Sequence, residues 1–219
     1  MKYAALYLTG PMQSWGSSSD WDYRTTNIFP TKSGLFGGIF ATLGIDRSVS
    51  SDYYPRLSNV KMMSLMFGRP DIFTDYHVVT NVPSALTGKV KSGKSTSVTR
   101  REYITNVTYG VVLSGEDEVI EWLCSRMNNP KWLFSLGKKC CTPTEPIYSG
   151  VYELKDDAIN EIKRRYNLTL EMTNTKSSSD TILVQEDCEF SDYTEVLKDN
   201  PKGNRKFGMR YVKNYELNA

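Results

Sequence analysis

Two stretches near the N-terminus combine glycine with groups that hold anions. The first is Gly10-Pro11-Met12-Gln13-Ser14-Trp15-Gly16, and the second runs from Pro30-Thr31-Lys32-Ser33-Gly34 through Gly37 and Gly38 to Gly44. A Gly/Pro-bounded turn set beside a glycine-rich helix that opens with Thr31, Lys32 and Ser33 lets backbone amides and a lysine gather around an anionic group. A second phosphate-binding pattern lies in Gly88-Lys89-Val90-Lys91-Ser92-Gly93-Lys94-Ser95, which matches G-x-x-x-x-G-K-[ST] letter for letter. A working P-loop must run from a buried strand into a helix. Here the next residues are Thr96, Ser97, Val98 and Thr99, polar and β-branched with no helical stripe, so a basic hairpin tip is the better description.

His77 beside Tyr76 offers a third chemistry, that of a metal-independent ribonuclease with the imidazole as general acid or base. Spacing supplies no second titratable partner, and a single histidine at a strand end more often plays a structural part. Trp15, Trp21, Tyr23 and Phe29 crowd the stretch before the glycine-rich helix, with Arg24 among them. Aromatic faces and an arginine beside phosphate-friendly amides suit unstacked bases of single-stranded RNA, although core packing explains Trp15 and Phe29 equally well. Leu136-Gly137-Lys138-Lys139 reads as a strand end that delivers two lysines.

The charge distribution agrees with a polyanionic ligand. The 219-residue chain carries a formal charge of only +2, with 24% charged and 39% hydrophobic residues, as in ordinary soluble proteins. From Tyr76 to Tyr103, however, Lys89, Lys91, Lys94, Arg100 and Arg101 face only Glu102, and the segment from Pro201 to Asn214 has Lys202, Arg205, Lys206, Arg210 and Lys213 with no acid. Acids collect instead at Glu116–Glu121 and Glu153–Glu161. Separated basic stretches fit RNA on one side and protein partners elsewhere. Cys124, Cys140, Cys141 and Cys188 have no zinc-site spacing, and one histidine cannot complete a set with them, so no metal is expected and the thiols read as reduced and cytoplasmic. The apolar N-terminal run is too short for a signal peptide, and no segment suggests a membrane span.

These groups need elements to position them. Tyr3 to Thr9 alternates as a strand, with Ala4, Leu6 and Leu8 on one face. Leu35, Phe36, Ile39, Phe40 and Leu43 form one stripe at helical period after Pro30-Thr31. Asn59 to Phe67 and Ile72 to Thr80 read as two strands around a Gly68-Arg69-Pro70-Asp71 turn, and Val107 to Leu113 as another strand. A helix then opens at Ser114-Gly115-Glu116-Asp117 and buries Val119, Ile120, Leu123 and Met127, and Trp132 to Leu136 supplies a closing strand. The expected fold is α+β, a single ferredoxin-like or RRM-type domain with the order β-α-β-β-α-β and an insertion between its central strands. Beyond it, Asp156 to Tyr166 reads as a helix, and Ile182 to Gln185 and Lys206 to Val212 as strands.

Four stretches together resemble the CasD family, the subunit at the crRNA 5′ end of type I-E CRISPR Cascade complexes. They are Leu8 to Gly16; Phe29 to Gly44; Asp75-Tyr76-His77 with Arg101-Glu102-Tyr103; and Leu136-Gly137-Lys138-Lys139-Cys140 with Pro146. The resemblance spans about the first two thirds of the chain, with no motif matched beyond Gly150. It implies a palm over residues 1–77 and 103–219, a long β-hairpin thumb over 78–102 and C-terminal elaborations. It further implies that the palm holds the 5′ handle of crRNA, that the thumb packs on a backbone subunit of the complex, with the large subunit as a further partner, and that target DNA is met through the complex. On the matching positions, Gln13, Ser14, Trp15, Lys32 and Ser33 would line the handle site, with Arg24 beside them; Arg101 and Tyr103 would stand at the thumb base; Lys138 and Lys139 would contact phosphates. His77, at the palm end of the hairpin, and the basic residues Lys89, Lys91, Lys94 and Arg100 of the thumb complete the expected RNA-binding set. No cofactor and no catalytic residue is implied for the type I-E branch. A type I-C branch cleaves the repeat, which keeps Tyr76 and His77 open as a ribonuclease pair.

Overall fold

A computed structural model describes residues 1–16, 20, 22–83, 87–90, 96–174, 181–192, 195–203 and 206–218. Among them, β1 (Lys2–Leu8) is followed by the short β2 (Tyr23–Arg24), α1 (Lys32–Leu43), β3 (Lys61–Val79), β4 (Ser97–Gly115), α2 (Asp117–Cys124), β5 (Tyr148–Tyr152) and α3 (Lys155–Thr173). The chain ends in β6 (Thr181–Asp187), β7 (Glu195–Gly203) and β8 (Lys206–Asn218). The strands form a sheet in the order β5-β1-β4-β3-β6-β8-β7, with β2 parallel to the outer part of β4 and the other pairs antiparallel.

Alternation in β1 sends Ala4, Leu6 and Leu8 to one face and Ala5 and Tyr7 to the other, and all five are fully buried because both faces are covered. The first face packs, with Met62, Val111 and Leu113, against Leu35, Phe36, Ile39 and Phe40 of α1 and Ile120 and Leu123 of α2. The second packs, with Leu65 and Val112, against Ala158 and Ile162 of α3. Gly110 is what lets α3 lie so close, since a Cβ there would stand 2.3 Å from the Ile162 side chain.

The expected turn at Gly68–Asp71 is instead a bulge in a continuous strand. Gly68 pairs with Val107 and Asp71 with Thr105, so β3 carries one residue more than β4 across the same stretch. Glycine takes the positive φ of +92° that this requires, and the strand continues because β4 supplies partners as far as Val79 opposite Ser97. Local glycine and proline signalled a turn, whereas long-range pairing kept the chain extended. Trp132 to Leu136 is likewise not a strand. The amides of Lys131 and Trp132 donate to the carbonyls of Thr42 and Ala41 at the end of α1, and Phe134 and Leu136 are buried in the α1-side core. The closing position beside β1 belongs to Tyr148–Tyr152. α3 runs seven residues past its expected end at Tyr166, and β7 has no counterpart in the sequence reading.

The C-terminal strands are tied to α1 by a buried ionic network. Asp199 of β7 is fully buried; one carboxylate oxygen accepts from the Lys32 amide at 2.9 Å, and Arg210 of β8 donates to both oxygens at 2.8 Å. Arg210 also pairs with Asp187 at 2.9 Å, and Asp187 in turn accepts from the Lys32 ammonium at 2.9 Å and from the Met62 amide. Removing one partner of such a network leaves buried charge uncompensated. We expect Asp199→Ala to cost about 3 kcal/mol or more and to lower the melting temperature by roughly 6–12 °C, while Lys198→Ala on the exposed side of the same strand leaves it within a degree or two; equal melting of both variants would remove the network from the account of stability.

Candidate nucleic-acid interface

The start of α1 answers to the sequence reading of an anion site, but the anion is internal. Thr31 caps the helix, its hydroxyl accepting from the Gly34 amide, and the Lys32 amide donates to Asp199. Lys32 is 4% exposed, with its ammonium on Asp187 and the Val60 carbonyl at 2.6 Å. The amides and lysine expected to gather around phosphate therefore hold carboxylates of the C-terminal third. Gln13 and Trp15 are also internal: the Gln13 amide donates to the carbonyls of Leu8 and Val107, and its oxygen accepts from the Trp15 indole at 3.1 Å. Both are fully buried; Gln13 joins the end of β1 to β4, bridging Ile104, and Trp15 bridges Asn27. Ser14, 1% exposed, donates to the Glu102 carbonyl at 2.9 Å. Phe29 is partly buried against Tyr109, Tyr23 stays exposed, and Trp21 lies outside the described residues.

Three cations do converge beside this scaffold. β2 places Arg24 level with Arg101 of β4 in the parallel pairing, so both side chains leave the same face. Lys138 reaches the same place from the 136–140 segment: its ammonium lies 4.3 Å from the centre of the Tyr103 ring and donates to the Glu102 carbonyl at 3.2 Å. Burial, reinforced by the like charges of Arg101 and Arg24, draws the Lys138 pKa below the ordinary lysine value against the pull of the nearby cysteines. Glu102, the neighbouring acid, directs its carboxylate to the Tyr23 hydroxyl and the Thr26 amide. Among the described residues none of the three cations forms an ion pair. The Tyr103 hydroxyl lies 3.8 Å from Cys140 sulfur, and burial raises its pKa.

Gly137 fixes the lysine segment to the scaffold. It has φ +86°, and a Cβ there would fall 1.8 Å from the Ser14 carbonyl oxygen. On its far side opens a groove of about 700 Å³ between α1 and the 132–139 segment, lined by Ser33, Gly37, Arg47, Trp132, Ser135 and Lys139 among others. Ser33 and Lys139 thus belong to this groove rather than to the Arg24 cluster. The sequence reading missed Arg47, which follows the Gly44 cap of α1, and assigned Trp132 to a strand. Its apolar neighbours Leu133 and Phe134 gave that false signal.

The hairpin carries the rest. His77 pairs with Thr99 and Tyr76 with Arg100, so His77 and Tyr76 project from opposite faces of β3 and cannot meet on one phosphate. His77 Nδ1 lies 3.9 Å from Asp75, while Arg100 lies over the Tyr76 ring at 5.9 Å. Lys89 is exposed near the tip; Lys91 and Lys94 lie outside the described residues, with most of the P-loop-like pattern. The chain passes from that pattern into β4, not into a helix, and so lacks the helix N-terminus that a P-loop uses. Among the described residues no group of three or more His, Cys, Asp or Glu side chains is arranged to hold a metal ion.

Among solved structures, a chain of a CRISPR RNA-guided surveillance complex superposes with a TM-score of 0.73 over 99% of this chain and 90% of that one, at 21% identity. A second, described as the crystal structure of a Cas protein, gives 0.67 over 99% of this chain and 95% of that one, at 24% identity. The Escherichia coli (strain K12) protein described as CRISPR system Cascade subunit CasD is 32% identical over 165 residues, 70% of this chain and 73% of that protein. The family model for the CRISPR-associated protein (Cas_Cas5) family matches residues 5–213, far past Gly150, where recognisable motifs end, and the chain belongs to that family.

Proposed function

We propose that this protein is the crRNA-binding subunit of a type I-E Cascade complex, a cytoplasmic, non-catalytic RNA clamp that holds the 5′ handle and docks on backbone and large subunits. The observation that carries the reading is the convergence of Arg24, Arg101 and Lys138 on one face with no ion pair to any of them among the described residues. Lys138, partly desolvated and fixed by its contacts with the Tyr103 ring and the Glu102 carbonyl, and Arg101, held by the Thr99 hydroxyl, bind phosphate with less ordering cost than flexible surface lysines. The relationship to the Cascade subunit CasD supports the choice of RNA and of complex. Opposite projection of Tyr76 and His77 supports a binding protein over the repeat-cleaving ribonuclease.

The order β5-β1-β4-β3, with α1 and α2 as the crossovers, supports a ferredoxin-like palm to which β6–β8 are added. The hairpin beyond the Gly68 bulge is then the thumb, and its exposed Ile72, Phe73, Val78 and Val79 suit contact with a neighbouring subunit.

In complexes assembled with each variant, Arg101→Ala and Lys138→Ala should weaken binding of crRNA with an intact 5′ handle. Each should also flatten the log–log salt dependence by about 0.7 for every phosphate left without its cation. An unchanged slope in both variants, or equal affinity of the wild type for a scrambled handle, would defeat the proposal. Gly137→Ala should weaken binding as well, because the side chain cannot coexist with the Ser14 carbonyl and must displace the lysine segment. The displacement is checked by hydrogen exchange of residues 136–141, which should quicken.

A further inference from the structure

We infer that the groove between α1 and the 132–139 segment receives one unstacked nucleotide of single-stranded RNA, with its base on Trp132 and its backbone against the helix at Gly37. The inference deepens the RNA-binding function proposed above and rests on it. Its starting point is a difference among glycines of one helix. A Cβ at Gly34 would meet the Thr31 hydroxyl at 2.9 Å and the Trp15 ring at 3.1 Å, and one at Gly38 would meet the Phe134 ring at 2.4 Å. Packing inside the chain accounts for both.

Gly37 has no such account. It lies exposed in the body of α1 with nothing within 4 Å of the position a Cβ would take, and glycine weakens a helix relative to alanine. Its open face lines the groove, where a bare helix backbone admits a closer approach than any side chain would allow.

The other walls state the chemistry of what approaches. Arg47 and Lys139 line the groove, and among the described residues neither is in an ion pair. Trp132 is 45% exposed and Leu133 79% exposed. The backbone that carries the indole is fixed because the Lys131 and Trp132 amides bond to the end of α1, and the Lys131 ammonium lies 5.3 Å from the ring centre, so a stacked base takes the other face of the ring or displaces that ammonium. Two cations around one exposed indole match one base with its flanking phosphates. The groove also adjoins, through Gly137, the segment that carries Lys138 to Arg24 and Arg101, so one strand can run from cluster to groove. Charge complementarity selects a nucleic acid over an apolar peptide, and stacking on an indole accepts any base, so this subsite contributes affinity without reading sequence.

The test uses the complex assembled with each variant and a crRNA carrying 2-aminopurine at successive 5′ positions. Gly37→Leu should lower RNA affinity at least tenfold, and Trp132→Ala about 5- to 100-fold, with Trp132→Phe recovering most of the loss. One 2-aminopurine position should be quenched in the wild type and not in Trp132→Ala, and changing the base at that position should have little effect. Gly37→Ala should raise the melting temperature of the isolated chain by about 2–4 °C, which separates a ligand-facing glycine from a structural one. Full RNA affinity in Gly37→Leu and Trp132→Ala, with Arg101→Ala still weakened, overturns the nucleotide subsite and leaves the RNA-binding function standing. Full affinity in all three overturns both. Binding of an acidic peptide in the groove, competing with no RNA, would also overturn the subsite.

Discussion

The buried carboxylate of Asp199 is the constraint on which the arrangement of this molecule turns. It meets two groups that could not otherwise be buried: the first amide of α1 and the guanidinium of Arg210. Helix starts carry unpaired amides and partial positive charge, so an internal anion there is favourable, and in a buried setting it is also obligatory for Arg210. Asp187 repeats the arrangement one strand away, joining Arg210 to the Lys32 ammonium. The C-terminal strands are thereby bound to the N-terminal helix by charges separated by more than 150 positions in the chain. α1 in turn fixes the 131–132 amides and packs on Phe134, and so the geometry of the lysine segment descends from a contact made on the opposite end of the helix.

That constraint divides the basic residues into two kinds. Lys32 and Arg210 neutralise carboxylates inside the fold and have little surface with which to meet a ligand. Arg24, Arg101 and Lys138 lie at the junction of β2, β4 and the 136–140 segment, where Glu102 supplies a carbonyl oxygen and turns its carboxylate elsewhere. A near-neutral chain can therefore hold a local cluster of cations, because Asp187 and Asp199 are used within the network, acids gather on α2 and the start of α3, and the Glu102 carboxylate is held by Tyr23 and Thr26.

Legibility in the sequence followed the range of the interactions. β1, α1 and α2 were readable because their burial has the period of the element itself, as in Ala4, Leu6 and Leu8 or Leu35, Phe36, Ile39 and Phe40. Gly68 and Pro70 misled because a bulge and a turn use the same residues, and only the partner strand decides between them. Phe134 and Leu136 misled because burial beneath a helix and burial in a sheet leave the same apolar trace over five residues. Of the candidate site, Arg24 was singled out by its place among aromatic residues, and Arg101 and Lys138 by charge and by family resemblance. Lys32 was singled out on equal grounds, yet its partner Asp187 is 155 residues away, a pairing that no local pattern encodes. Arg47 carried no signal beyond its own charge.

The covering of both faces of the palm strands limits the surface on which a ligand can lie. A bare four-stranded sheet could stack bases on its open face, as RRM domains do, but here α3 fills that face, with Ile162 against Gly110 and the Phe67 ring stacked at 4.5 Å on Tyr166. The opposite face is filled by α1 and α2. Beside the covered strands lies the rim, where strands give way to the 13–16 turn, β2 and the 136–140 segment, and where backbone groups and cations are fixed by the packing on either side. A rim site has no broad platform on which to stack successive bases, so its contacts must be few, charged and positioned. Ser14, Gly137 and the Glu102 carbonyl provide that positioning: the first two fit without space for one additional carbon, and the third holds Ser14 and Lys138 together.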